Sequence, residues 1–456
     1  MIDFEKFSKY SKAGPRYTSY PTAVEFHEKF TETDFIKKLD ESNSSKKSIS
    51  LYFHLPFCRS ACYFCGCNVL YTSKDDKKDK YIDYLEKELE ILSKYLDMKR
   101  EIAQLHFGGG TPTFFDAIQL QRVIKLIHSR FPNFSATAEI SCEIDPRFFN
   151  EDQMKVMRDG GFNRISFGVQ DFDEKVQSAV HRLQSFDETK AAVELARKYG
   201  VNSINIDLIY GLPFQSLSTF KMTLEKTISL NPDRFAVFNY AHVPWMKKTM
   251  RKLDETTIPA PSEKLKIMKY TMDYMREQGY KSVGMDHFAK PTDELFKAIE
   301  KGELHRNFQG YTTKGGSDLI GVGVTSISEL DGCYSQNFKD LESYEASIDA
   351  GHLPVHRGVE LTGEDKLRKA VIMELMSNFS LDIPRIEKGF GISFAEHFVS
   401  SLKLLQEYVD AEVLNVSDTK IQANATGELL IRNIAMVFDD YFDHSSDNKN
   451  KFSKTI

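Results

Sequence analysis

The sequence has no second pair of cysteines or histidines to match its first. It carries six cysteines; four fall between Cys58 and Cys67, and Cys142 and Cys333 stand alone. A zinc ribbon joins one Cys-x2-Cys pair to another Cys or His pair further on, and that partner is missing. Long apolar runs are missing too: no stretch approaches the roughly 20 residues of a membrane span. The opening residues MIDFEKFSKYSK lack the apolar centre of a signal peptide. These features lead us to expect a cytoplasmic chain without a membrane span, its thiols reduced and used for metal ligation, not disulfides. There is no basic excess, since the net charge is −6. A nucleic-acid binder is therefore not expected, and an anionic substrate would need local cations. With 41% hydrophobic and 28% charged residues, the composition is that of an ordinary globular protein. The 456 residues suffice for a large catalytic domain and a smaller one.

What is present is concentrated in the loop after an apolar run, Tyr52–Cys67. Cys58, Cys62 and Cys65 are spaced x3 and then x2, which puts three sulfurs into one tight loop. Such a set suits a cubane [4Fe–4S] cluster with one iron left open to a substrate or cofactor. Zinc is the alternative.

From Ser48 onward, short β-branched runs alternate with helical ones. Strands are predicted at 50–55, 102–107, 136–144, 164–169, 203–209 and 234–239. Helices are predicted between them, with apolar residues at 81, 82, 85, 89, 92 and 96, and over 117–130, 186–199 and 218–230. This alternation predicts a parallel βα array, barrel or open sheet, with its chemistry in the loops after the strand C-termini. Gly108–Thr111, Glu143 with Asp145, Gln170 with Asp171, and Asp207 all stand at such places. Each alone could be a turn residue or a helix cap. Together they put acids and amides at one mouth of the array. A further strand is predicted over 281–286, leading to His287, and the run at 319–327 closes the large domain. Two acid-free basic stretches remain: the arm at 7–24, with Lys9, Lys12 and Arg16, and the loop at 305–316, with Arg306 and Lys314. The arm is either a solvated terminus or a cover that brings cations to carboxylates.

Beyond residue 360, Thr362–Asp365 reads as a capping box opening a helix. A helix over 394–408, a hairpin and a last helix from Thr426 follow. The pattern resembles a winged helix. The 16 acids against 11 Lys and Arg over 360–456 argue against phosphate contacts and for packing on the main domain.

The C-x3-C-x2-C loop CRSACYFCGC (58–67) resembles that of radical S-adenosylmethionine (SAM) enzymes. Joined to RYTSYPTA (16–23), GGGTPT (108–113), NIDLIYGLP (205–213), NYAH (239–242), GMDHFA (284–289) and HRNFQGYTT (305–313), it resembles the oxygen-independent coproporphyrinogen III oxidases. The resemblance runs from about residue 8 to the C-terminus. It implies an α/β fold, an incomplete parallel (β/α) radical-SAM barrel with a smaller, mostly helical C-terminal domain. The expected division is an arm over the site (1–47), the barrel (48–355) and the helical domain (356–456).

The resemblance also implies site residues. Cys58, Cys62 and Cys65 would hold the cluster, and one SAM would chelate its open iron among Tyr52, Gly109, Glu143 and Ile327. A second SAM would lie among Phe64, Gly110, Thr111, Gln170, Arg182, Asp207 and Ala241. Cys67 would be a catalytic residue outside the cluster, and Arg16 with Arg306 would hold substrate propionates. The implied activity is radical oxidative decarboxylation of two propionates of coproporphyrinogen III to vinyl groups, giving protoporphyrinogen IX. The implied electron donor is a flavodoxin- or ferredoxin-type protein, and the expected state is a monomer. A haem chaperone of the same superfamily is the alternative; it lacks the second half of the C-x-C motif and the RYTSYPT arm, and both are present here.

Overall fold

The computed structural model describes residues 9–444 and 451–455. Among these, twelve strands form one sheet: β1 Ile49–Leu55, β2 Ile102–Gly109, β3 Phe134–Ile144, β4 Arg164–Gln170, β5 Ser203–Tyr210, β6 Arg234–Asn239, β7 Lys281–Val283, β8 His287–Ala289, β9 Asp318–Val322, β10 Ile327–Leu330, β11 Cys333–Asn337 and β12 Val355–Glu360. Their order is β12-β11-β10-β9-β1-β2-β3-β4-β5-β6-β8-β7. From β9 through β1 to β6 every pairing is parallel, and both flanks are antiparallel. The parallel array ends at two different edges and does not close into a full barrel.

The residues explain the elements. In β1, Ile49, Leu51, Phe53 and Leu55 are all fully buried beneath helices, as a central parallel strand requires. β4 and β5 instead alternate buried and half-buried positions. The half-buried face carries Ser166, Gly168, Gln170, Asn205 and Asp207 and lines the open interior. The helices between strands begin at reciprocal caps: Asp116, Asn150, Ser185 and Ser216 each exchange hydrogen bonds with the residue three positions on. Residues 81, 82, 85, 89, 92 and 96 are all buried, as their period predicts.

The predicted strands at 50–239 stand within a residue or two of the observed ones. One later expectation needs correction, and the closing run is more finely divided. The run at 281–286 breaks at Gly284 (φ +57) into the edge hairpin β7–β8. The run at 319–327 is two strands, β9 and β10, because residues 323–326 turn back with Gly323 and Thr325 at positive φ.

A second core forms around the helix Gly363–Asn378, whose Thr362–Asp365 capping box is present. A helix at Ile383–Phe390 and a third short strand at Ser380–Asp382 join the predicted helix and hairpin. Tyr10, Tyr17 and Tyr20 of the N-terminal stretch belong to this second core. Arg432 holds that stretch through the carbonyls of Gly14 (2.6 Å) and Pro15 (3.2 Å), and Tyr17 bonds Asp439 at 2.7 Å. Residues 32–45 form a helix against β10–β12.

Candidate active site

The C-terminal ends of β1 to β6 surround a cavity of about 440 Å³. The cysteine loop leaves β1 after Leu55 and crosses the end of β2. There Gly110 donates to the Leu55 carbonyl (2.9 Å) and Thr111 to that of Phe57 (3.0 Å). A side chain at Gly110 would put its Cβ 2.6 Å from the Pro56 carbonyl oxygen, so only glycine lets the two backbones lie this close. The Thr111 hydroxyl lies 3.4 Å from Cys58 Sγ.

Most of the expected site residues meet here. Arg16, Cys58, Cys62, Phe64, Cys65, Cys67, Gly109, Gly110, Thr111, Glu143, Gln170, Arg182, Asp207 and Ala241 all line this cavity. Gln170 reaches it from a bulge between Gly168 and Gln170, with its own φ at +68°, which re-aims the strand end. Tyr52 lies one layer back. Its hydroxyl meets His54 Nδ1 at 2.9 Å, and its ring stacks on His106 behind Gly108. Ile327 lies beyond Gly321, the β9 partner of Tyr52, and packs toward Phe26 and Tyr334. Arg306 does not line the cavity. It lies behind Asp286 (3.7 Å) over the ring of Tyr311 and faces a separate crevice of about 800 Å³. Arg16, by contrast, reaches the wall and donates to the Asn239 carbonyl at 2.5 Å.

The electrostatics follow from burial and pairing. Burial would raise Asp145, but Arg182 and Arg147 hold its carboxyl below the usual range. Arg182 Nη1 donates to it at 2.8 Å, and Arg147 grips both its oxygens at 2.9 and 2.6 Å. Arg182 also donates to the Gly168 carbonyl (2.5 Å) and stands 3.6 Å from Cys62 Sγ. Burial would likewise raise Glu143; His106, 3.5 Å away, and the Gly109 amide hold it down. Half of the Glu143 side chain faces open cavity space, so an anionic oxygen is available to a ligand's ammonium group. Asp207 is pushed up to about 6 by burial and by the charge of Glu143, against hydrogen bonds from Ser166 and Asn205. Sequence reasoning did not single out Arg147 or Asn239. Arg147 had one signal, a cation two residues after Asp145 in the same loop.

The donor set fits a cluster with three protein ligands. Cys58, Cys62 and Cys65 are free thiols on one loop, partly open to one cavity, three sulfurs for three irons of a cubane. Cys67 is also free, and Lys247 Nζ holds its carbonyl at 2.8 Å.

The chain matches the Radical SAM superfamily over residues 52–227 and the HemN C-terminal domain over residues 361–430. It is 54% identical to the oxygen-independent coproporphyrinogen III oxidase of Helicobacter pylori (strain J99), covering 100% of this chain and 99% of that one. It is 45% identical to the protein of that name from Escherichia coli (strain K12), over 100% and 98%. The solved structure of E. coli coproporphyrinogen III oxidase (HemN), described as a radical SAM enzyme, superposes with a TM-score of 0.91 at 44% identity, over 97% of this chain and 99% of that one. The agreement runs through arm, cysteine loop, sheet and helical C-terminal segment alike, and with it the chain belongs to the oxygen-independent coproporphyrinogen III oxidase family of radical SAM enzymes.

Proposed function

We propose that the protein is a SAM-dependent oxidoreductase of anaerobic haem biosynthesis that converts two propionates of coproporphyrinogen III to vinyl groups, yielding protoporphyrinogen IX. The carrying observation is that Arg16, from the N-terminal stretch, opens onto the same cavity as Cys58, Cys62 and Cys65, in a chain similar over its full length to oxidases of that name. That full-length similarity favours the oxidase over a haem carrier.

When bound, the cluster and SAM would supply the one-electron radical chemistry. The chain supplies ligands, orientation and exclusion of water. Cys58, Cys62 and Cys65 hold the cluster. Two SAM molecules would be bound, the first among Tyr52, Gly109, Glu143 and Ile327, where the Glu143 carboxylate would take the ammonium group. The second would lie among Phe64, Gly110, Thr111, Gln170, Arg182, Asp207 and Ala241, where Asp207 would accept from ribose hydroxyls. Arg16 holds a propionate, and Arg306 supports it from behind Asp286. Cys67 acts during turnover rather than in ligation. Residues 1–47 serve as the arm, 48–355 as the barrel and 356–456 as the helical domain of a cytoplasmic monomer served by a flavodoxin- or ferredoxin-type donor. Each propionate loses a hydrogen atom from its β-carbon, CO2 and one electron, so an electron acceptor is needed.

The test is anaerobic: reconstituted protein, SAM, reductant, coproporphyrinogen III and an extract supplying the acceptor. Vinyl products matched by 5′-deoxyadenosine are expected. SAM cleavage without any vinyl product would overturn the assignment.

A further inference from the structure

Beside the cysteine-loop cavity lies a second one of about 680 Å³, and the two share Asn239 and Tyr240 as a common wall. We propose that this second cavity seats the body of the tetrapyrrole and that Lys264 recognises one of its non-reacting carboxylates. The proposal rests on the functional reading above.

Room is the first consideration. The cysteine-loop cavity already has the cluster and SAM to seat, so a four-ring macrocycle needs the adjoining space. Chemistry is the second. Tyr240, Trp245, Tyr408, Phe442 and Phe452 give the second cavity aromatic walls suited to flat apolar rings. Among the described residues its cations are Lys12, Lys264 and Lys454, and its carboxylate, Glu255, is engaged by His242 at 2.9 Å.

Lys264 itself is the third. It comes from the helix Pro261–Glu277, and its stem crosses Gly211 (φ +86), where a Cβ would lie 2.8 Å from Lys264 Cε. The glycine thus makes the channel for the lysine. Lys264 also borders the small cavity that Arg16, Arg432, Asp286 and Glu428 line. Asp286 is committed to His287 (2.7 Å) and Arg306 (3.7 Å). Among the described residues no carboxylate stands within 4 Å of Lys264 Nζ, and no hydrogen bond satisfies it. Burial lowers its ammonium to about 8, with Lys454 adding to the effect. A largely desolvated cation without a counter-ion favours an anionic ligand. Arg16 lines the cysteine-loop cavity and Lys264 the second one, with Asn239 in the wall of both. A ligand with several carboxylates on one apolar ring can engage both.

The test uses reconstituted full-length protein and coproporphyrin III as the stable probe. Binding is followed by the porphyrin absorption and by quenching of Trp245, the chain's single tryptophan, which lies in this cavity wall. Lys264→Met is expected to weaken binding by about 10-fold or more, the scale of a lost charge-assisted hydrogen bond. Lys264→Arg should stay within about threefold. Lys266→Met, on the same helix but exposed beside Glu263, should match wild type. The tetramethyl ester of the porphyrin, which keeps the ring and lacks the carboxylates, should bind wild type and Lys264→Met alike. A folded Lys264→Met protein with wild-type affinity for coproporphyrin III would overturn the proposal. If that happened while wild type still made vinyl products, the assignment of Lys264 alone would fall. Wild type that neither bound porphyrin nor made product would bring down the functional reading with it.

Discussion

Arg182→Met cuts the tie between the cysteine loop and the ends of β3 and β4. The arginine side chain is 9% exposed and Asp145 6%, so the pair is largely out of water. Removing one partner from a buried ion pair costs about 3–5 kcal/mol. Arg147 stays on Asp145 and offsets part of this, while the freed Gly168 carbonyl adds about 1 kcal/mol. The net loss is about 3 kcal/mol. Unfolding entropy of roughly 2.1 cal/mol/K per residue over 456 residues gives about 1 kcal/mol/K, so Tm should fall by about 3 °C. The pH dependence has a definite sign. Asp145 titrates below its unfolded value, so its contribution is present above that value and is lost as pH falls through the folded one. Without Arg182 the folded value rises toward the unfolded one, and the variant's deficit is largest near neutrality and shrinks in acid. Scanning calorimetry at pH 7 and pH 4 measures both effects. Equal melting of variant and wild type at pH 7, with unchanged SAM affinity, would refute the role given to this pair.

Other expectations follow from single residues. Cys58→Ser, Cys62→Ser and Cys65→Ser should each lose iron and sulfide and with them SAM cleavage; Cys67→Ser should keep the cluster and lose turnover, as metal analysis beside the assay would show. Gly110→Ala must push its methyl against the Pro56 and Phe57 carbonyls at 2.6–2.7 Å. Neither backbone can yield cheaply, so about 1–3 kcal/mol of stability and most of the cluster occupancy should go, read by Tm and iron content. With Asp207 near 6, SAM affinity should weaken as pH falls below that value, because the protonated carboxyl accepts ribose hydroxyls poorly; Asp207→Asn should flatten the profile between pH 5 and 7.

The parallel array was legible because its signals are local. β1 sets Ile49, Leu51, Phe53 and Leu55 at alternate positions, and the helix positions at 81, 85, 89 and 92 repeat on one face. The cavity was legible for the same reason, since the rule that chemistry follows strand C-termini needs only strand ends. What escaped depends on contacts distant in the chain. Arg306 and Arg16 looked equivalent as the arginines of two acid-free basic segments. The fold puts Asp286 between them and leaves only Arg16 on the cavity. The break in 281–286 turns on Gly284, which has Tyr311 packed where a side chain would go, and no neighbouring residue announces that ring. The lysine channel over Gly211 is equally silent, for Gly211 and Lys264 are 53 positions apart in the numbering.

The central claim is that three cysteines of one loop hold a cluster with an iron open to SAM. The most direct measurement is Mössbauer or electron paramagnetic resonance spectroscopy of the anaerobically reconstituted, reduced protein with and without SAM. The account predicts a cubane [4Fe–4S] signal that persists in Cys67→Ser, vanishes in Cys62→Ser and shifts at one iron site when SAM is added. A zinc-loaded protein without sulfide, or a cluster whose spectrum SAM leaves unchanged, would contradict it.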